Sequence, residues 1–265
     1  MGSPVRHSLS PVLHNAAFAA LGLDWAYVAF EVPAGAAGAA LEGIRALGIS
    51  GLSVTTPHKD DVAALVDRRS PVAERLHAVN TVVRAGRALV GESTDGPGFL
   101  DAVRMDHGFD PAGRTCVVRG SGGAARAIVL ALGEAGAADV VVVPGRSFEK
   151  AALAASLAGP AGRVGPPEEA SGADLVVNAT TLGMAGGPGE APFDPALLGP
   201  GQLVVDAVYP TTAFVEAARE RGATATSGLG MLLHQAAHAF RLWTGQDPPL
   251  EAMSAAAVDA LLTRH

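Results

Sequence analysis

Sulfur and aromatic rings are scarce in this chain: among 265 residues there is one cysteine, and Phe, Trp and Tyr together make up 5%. A single thiol, Cys116, has no internal disulfide partner, and its apolar setting, Thr115-Cys116-Val117-Val118, reads as a buried structural group rather than a nucleophile. With so few rings, the core has to be built mostly from Ala, Val and Leu. Charge is sparse as well. Only 17% of residues carry it, and the balance of −7 excludes an electrostatic nucleic-acid binder, which needs a basic face. Arg68-Arg69 is too short a run to supply one. No apolar run reaches the roughly 18 residues of a membrane span, and no signal-peptide pattern opens the chain. The expected setting is cytoplasmic, without a membrane partner. Hydrophobic residues, in contrast, make up 49%, enough to bury a core and to exclude disorder.

Residues 25–32 (WAYVAFEV) are β-branched and aromatic and predict a strand. Residues 34–47 predict a helix, 49–55 a second strand stopped by Pro57, and 58–66 another helix. Two short runs, 79–83 and 88–92, flank Ala85-Gly86 and predict a hairpin. Beyond Asp95 the pattern becomes regular. Apolar runs at 116–118, 140–143, 175–177 and 203–205 alternate with helix-length Ala- and Leu-rich segments, which predicts a parallel sheet covered on both faces. Residues 159–172, rich in Pro and Gly, predict an irregular connection, and 231–243 a helix. The reading is α/β with two α/β domains: residues 1–95, completed by C-terminal helices from 229–265, and a nucleotide-binding domain at 96–228.

Directly after the run at 116–118 comes Arg119-Gly120-Ser121-Gly122-Gly123-Ala124-Ala125, a G-x-G-x-x-A turn between a strand and a helix. Its glycines permit a tight turn and close approach of backbone N–H groups to a pyrophosphate at the helix N-terminus. Such turns also serve as plain connectors, so the context carries the argument. An NAD site wants a carboxylate at the tip of the second strand, to bind the ribose 2′-OH. Here the strand ends in Pro144-Gly145-Arg146-Ser147, with Lys150 one turn later, and a guanidinium beside a hydroxyl suits a 2′-phosphate instead. The expected cofactor is NADP(H).

Three polar clusters interrupt the Ala-rich first half. Ser8-Leu9-Ser10-Pro11 has the form of a helix N-cap. Val54-Thr55-Thr56-Pro57-His58-Lys59 sets a lysine in a first helical turn, against the helix dipole. Glu92-Ser93-Thr94-Asp95-Gly96 puts a carboxylate at the domain junction, where it also fits an ordinary cap. Together with AVNTVV, GSGGAARA, NATTLGM, DAVYP and GLGMLLHQAAHAFRLWTG, these clusters make the chain resemble shikimate dehydrogenases over nearly its whole length.

The resemblance implies a substrate-binding domain facing a Rossmann-type NADP domain across a cleft, and NADP-dependent interconversion of 3-dehydroshikimate and shikimate, a step toward chorismate and the aromatic amino acids. It implies Lys59 and Asp95 as the catalytic pair. Ser8 and Ser10 would bind the substrate carboxylate, and Thr55, Lys59, Asn80 and Asp95 the ring hydroxyls, with Tyr209 and Gln235 closing the site. Gly120, Ser121, Gly122, Gly123 and Ala124 match the pyrophosphate loop, and Arg146, Ser147 and Lys150 the adenosine-phosphate region. Asn178, Thr180 and Met184 match a cofactor-contacting loop, and Gly228 and Met231 the nicotinamide side. Ser53, Ser93 and Gly145 stand where the family usually has Asn. Enzymes acting on quinate or amino-shikimate, and non-catalytic sensors on the same fold, are the alternatives. The partner is a small-molecule substrate, with homodimerisation open. No metal is expected: His234 and His238 have helical metal-pair spacing, but Gln235 stands where a zincin has glutamate and no third ligand is apparent. In the proteins it resembles, a short apolar strand precedes the first cluster. Here Met1 stands directly before Gly2, so the expectation is either an earlier natural start or a repacked sheet with weak shikimate binding.

Overall fold

The computed structural model describes residues 1–184 and 190–263. The chain divides into two compact units, Met1–Gly98 with Leu232–His265, and Phe99–Met231.

In the first unit, residues 1–3 pair with backbone on both sides. The Met1 ammonium donates to Ser53 O (2.5 Å), Thr55 N donates to Met1 O (3.0 Å) and Val32 N to Gly2 O (3.0 Å). The elements that follow are α1 (Ser10–Ala20), α2 (Ala37–Leu47), β1 (Gly51–Ser53), α3 (Lys59–Leu65), β2 (Arg68–Arg69), α4 (Pro71–Leu76), β3 (Thr81–Ala85), β4 (Ala88–Glu92) and α5 (Asp95–Asp101). The sheet order is β1-β3-β4-β2, antiparallel except for the β2–β4 pair. The expected hairpin is β3–β4. Ala85 pairs with Ala88, and the two-residue loop between them takes Gly86 to φ +66°, the left-handed region such loops require. The helix α4 starts where its sequence says it should: Pro71 stands in the first turn and the Ser70 hydroxyl caps the Ala73 N–H. Leu41 and Ile44 of α2 and Val62 of α3 bury against Leu52, Val82 and Leu89 of the sheet.

Residues 25–32 do not form the expected strand. Among the described residues, their one sheet pairing is an isolated bridge from Glu31 to Gly2. At Tyr27 the backbone instead bonds a side chain, with Asn15 Nδ2 donating to Tyr27 O (2.9 Å) and Tyr27 N to Asn15 Oδ1 (2.8 Å). β-Branched residues favour an extended chain, but a strand also needs a partner backbone, and here an amide takes that place.

The second unit begins at Phe99 within α5 and continues through a π-helical turn, Ala102–Asp106, β5 (Thr115–Arg119), α6 (Gly123–Glu134), β6 (Asp139–Val143), α7 (Phe148–Ser156), β7 (Gly162–Val164), β8 (Leu175–Asn178), β9 (Leu203–Asp206), α8 (Ala213–Glu220) and β10 (Thr224–Thr226). The sheet order is β10-β9-β8-β5-β6-β7 and every pairing is parallel. This is the doubly wound Rossmann arrangement, whose strand order reverses between β5 and β8. Both faces are covered. Cys116, Val118, Val140, Val142, Leu175 and Val177 pack on one side with Ile128 and Leu132, while Val117, Val141, Val176 and Val204 pack on the other with Phe193 and Phe214. Cys116 is fully enclosed, and burial pushes its thiol pKa up to about 12. The expected irregular connection at 159–172 contains β7. Gly162 makes that strand admissible, because a Cβ there would overlap the Ala155 carbonyl.

The chain then enters α9 (Leu229–Thr244) and ends in α10 (Leu250–Leu262), which packs on α1. Trp243 of α9 lies over Gly51 of β1 and donates from Nε1 to Val82 O (3.0 Å). A Cβ on Gly51 would overlap the indole. Gly51→Ala is therefore expected to destabilise the protein by about 1–3 kcal/mol through overpacking and loss of that hydrogen bond. Chemical denaturation read by tryptophan emission checks this, and an unchanged midpoint would contradict it.

Candidate active site

Lys59 is the first residue of α3, where its ammonium opposes the helix dipole, and Asp60 and Asp61 in the same turn offset that placement. Its backbone is anchored by Val79 N, which donates to Lys59 O (3.0 Å). Asp95 is the first residue of α5. The two side chains meet, Lys59 Nζ to Asp95 Oδ2 at 2.5 Å, with only 16% and 9% of their surfaces exposed. A largely buried ion pair of this kind persists only when the carboxylate's remaining oxygen is also satisfied.

Asn80 supplies that partner. Its Nδ2 donates to Asp95 Oδ1 (2.8 Å) and to Thr94 Oγ1 (2.9 Å). Its Oδ1 accepts from Thr94 N (2.7 Å) and from Thr81 Oγ1 (3.1 Å). All four hydrogen-bonding positions of the amide are filled, and the orientation is fixed, because a flip would set an NH₂ against the Thr94 N–H. Gln235 of α9 borders the same cluster, with its Oε1 3.5 Å from Thr94 Oγ1 and its Nε2 donating to Leu232 O. The close approach of α9 at this point depends on Gly98, whose Cβ would come 2.5 Å from Gln235 N.

Structure thus brings together Lys59, Asn80, Asp95 and Gln235, and adds Thr81 and Thr94. Ser8 and Ser10 are paired with each other instead: Ser8 Oγ accepts from Ser10 N (3.2 Å), and Ser10 opens α1 without capping it by its side chain. Thr55 is exposed just beyond β1, and its N–H bonds Met1 O.

In the second unit, Gly120 follows β5 at φ +127°, and a Cβ there would lie 3.0 Å from Ala179 O. Gly122 precedes α6 with open space where its side chain would be, and no side chain caps the helix. An uncapped twelve-residue helix behind bare glycines leaves its first N–H groups facing outward, which fits the pyrophosphate of a dinucleotide at Gly120, Ser121, Gly122, Gly123 and Ala124. At the tip of β6, Arg146 is exposed, and the strand's acid, Asp139, stands at its opposite end, ion-paired with Arg163. Ser147 caps α7 by accepting from Lys150 N (3.2 Å), which leaves its hydroxyl hydrogen free to donate. Arg146, Ser147 and Lys150 therefore fit a phosphate ester better than a free ribose.

Asn178 ends β8 in a fully buried position, Thr180 and Met184 lie half-buried in the loop after it, and Tyr209 lies half-buried in the turn after β9. Gly228 and Met231 are buried at the entry to α9. Sequence reading passed over four polar residues in these networks: Thr81, Thr94, Asp206 and Thr212. For Asp206 a signal was present, an acid ending the otherwise apolar run Leu203-Val204-Val205. Among the described residues, no group of three or more His, Cys, Asp or Glu side chains is placed to hold a metal ion.

Two family models match the chain: the shikimate dehydrogenase substrate binding domain over residues 1–82, and the shikimate 5'-dehydrogenase C-terminal domain over residues 228–258. The shikimate dehydrogenase (NADP(+)) of Moorella thermoacetica is 47% identical over 264 residues, covering 96% of this chain and 89% of its own length. That of Rubrobacter xylanophilus is 49% identical over 267 residues, covering 96% and 92%. Among solved structures, shikimate 5-dehydrogenase from Thermus thermophilus, in complex with NADP(H) and shikimate, superposes with a TM-score of 0.90 at 39% identity, covering 98% of this chain and 97% of that one. With relatives this similar across nearly its full length, the chain belongs to the shikimate dehydrogenase family.

Proposed function

We propose that this chain catalyses the NADP-dependent, reversible reduction of 3-dehydroshikimate to shikimate, a step in aromatic amino-acid biosynthesis, with Lys59 and Asp95 as its acid–base pair. The observation that carries the reading is the enclosed Lys59–Asp95 contact, held in register by the Asn80 amide.

Reducing a ring carbonyl leaves negative charge on its oxygen, and that oxygen needs a proton. Lys59 as an ammonium hydrogen-bonds the oxygen, stabilises the developing charge and supplies the proton from Nζ. Asp95 orients Nζ through Oδ2, and the Asn80 bond to Oδ1 keeps the carboxylate from turning away. Ser8 and Ser10 bind the substrate carboxylate and Thr55 and Asp95 its hydroxyls, Asn80 acts through Asp95 because its own hydrogen-bonding positions are filled, and Tyr209 and Gln235 are further substrate-binding residues. When bound, NADPH supplies the hydride, which is a property of the cofactor itself. The N–H groups of residues 120–124 hold its pyrophosphate, Arg146, Ser147 and Lys150 its 2′-phosphate, Asn178, Thr180 and Met184 form a cofactor-contacting loop, and Gly228 and Met231 lie on its nicotinamide side.

The direct test is a nicotinamide absorbance assay with shikimate and NADP⁺, run beside quinate and an amino-shikimate. No turnover of shikimate would overturn the proposal. Lys59→Ala is expected to lower kcat by about 10²–10⁴, the usual scale of general acid–base help, with a smaller change in KM. Near-normal kcat in that variant would remove Lys59 from the mechanism. Arg146→Ala is expected to raise KM for NADP⁺ roughly tenfold and to leave KM for NAD⁺ nearly unchanged, since an exposed charge-assisted hydrogen bond is lost only with the phosphorylated cofactor. Equal shifts for the two cofactors would refute the 2′-phosphate assignment.

A further inference from the structure

We infer that Asp206 is a positioning residue for the cofactor side of the site, a buried carboxylate that fixes three backbone segments at once. The inference rests on the reading of those segments given above, and Asp206 itself is fully buried.

Asp206 is the last residue of β9 and fully buried. Its Oδ1 accepts from Asn178 Nδ2 (2.8 Å) and Val208 N (3.1 Å), and its Oδ2 accepts from Thr212 Oγ1 (2.6 Å). All three donors are neutral. Burial raises the carboxyl's pKa, and the three hydrogen bonds oppose that shift. An acid in this position is costly unless its geometry serves something.

The first segment it holds is the loop after β8. Asn178 receives Thr180 N (3.1 Å) and Thr180 Oγ1 (2.6 Å) on its Oδ1, and its Nδ2 also reaches Leu182 O (3.1 Å). The loop is thus wound about one amide, whose orientation Asp206 sets. Gly183, at φ +83°, covers the carboxylate: a Cβ there would lie 3.9 Å from Asp206 Oδ2. The second segment is the turn 207–212, which carries Tyr209 between the Val208 and Thr212 bonds. Thr212 in turn caps α8 by accepting from Val215 N (3.4 Å). The third is Gly228, whose N–H donates to Val208 O (3.0 Å) and whose missing Cβ would overlap the Ala207 carbonyl. Asn178, Thr180, Tyr209 and Gly228, assigned to cofactor or substrate from three separate stretches of sequence, therefore take their places from one carboxylate.

The test compares Asp206→Ala, Asp206→Asn and Thr212→Val in steady-state kinetics, with active sites counted by NADPH titration and melting followed on the same samples. Asp206→Ala is expected to raise KM for NADP⁺ by roughly tenfold or more and to lower kcat per active site. Asp206→Asn should return both to within about threefold, because its amide oxygen can still face Asn178 and Val208 while its NH₂ meets the Thr212 hydroxyl. If Asp206→Ala does not fold, Thr212→Val, which removes the Oδ2 donor, decides the matter: it is expected to raise KM for NADP⁺ severalfold. A lower melting temperature with unchanged KM and kcat per site would show a purely structural role and overturn the inference. Arg146→Ala, measured in parallel, separates the two levels. If it alone shifts KM for NADP⁺, only the positioning role fails, and if neither does, the cofactor reading fails with it.

Discussion

The hydrogen bond from Asn80 Nδ2 to Asp95 Oδ1 is the contact on which the first unit's chemistry depends. A buried amide with all four positions filled has one geometry, and its partners come from separate stretches of chain: Thr81 in β3, and Thr94 and Asp95 at the exit from β4. The amide therefore fixes where α5 starts relative to the sheet, and so where Asp95 meets Lys59. Moving Asn80 would disturb four polar groups in a region where unpaired ones are expensive. The ion pair is the consequence of this arrangement rather than its cause.

The second unit repeats the logic with different chemistry. There a carboxylate at a strand end gathers donors from an amide, a hydroxyl and a backbone N–H. In both units, one polar side chain whose positions are filled by neighbouring segments stands where strands give way to loops. The surrounding cores are built of small aliphatic groups, so elements must approach closely, and glycine marks the approaches. Gly133 lies against Ala158, Gly162 against the Ala155 carbonyl and Gly98 against the Gln235 backbone. Scarcity of aromatic residues and abundance of glycine are two sides of one packing solution.

The sequence was most legible where a pattern is local. The apolar runs of β5, β6, β8 and β9 announced a parallel α/β sheet, the hairpin was visible from its turn, and the Gly-rich turn stands between a strand and a helix as its spacing required. Legibility failed where the deciding partner is distant or the element is minimal. Residues 25–32 have strand composition, yet the Asn15 side chain takes their backbone bonds at Tyr27. The strands β7 and β10 are three residues each, too short for alternation to register. Thr94 sits in a motif that was recognised, but a hydroxyl looks the same whether it faces water or an amide 14 residues away in sequence. Asp206 opens the recognised motif DAVYP but was given no role, since an acid closing an apolar strand also reads as an ordinary strand-end residue.

The lone cysteine has a practical consequence. Cys116 lies in the central strand β5, enclosed on all sides, with its thiol held far from the reactive thiolate form. The folded chain is in effect invisible to maleimides and disulfide reagents. A cysteine introduced anywhere on the surface would be the sole labelling point for a fluorophore or spin probe. The native thiol would remain a silent clock, modified only when the middle of the Rossmann sheet opens, so that its rate of labelling reports on that opening.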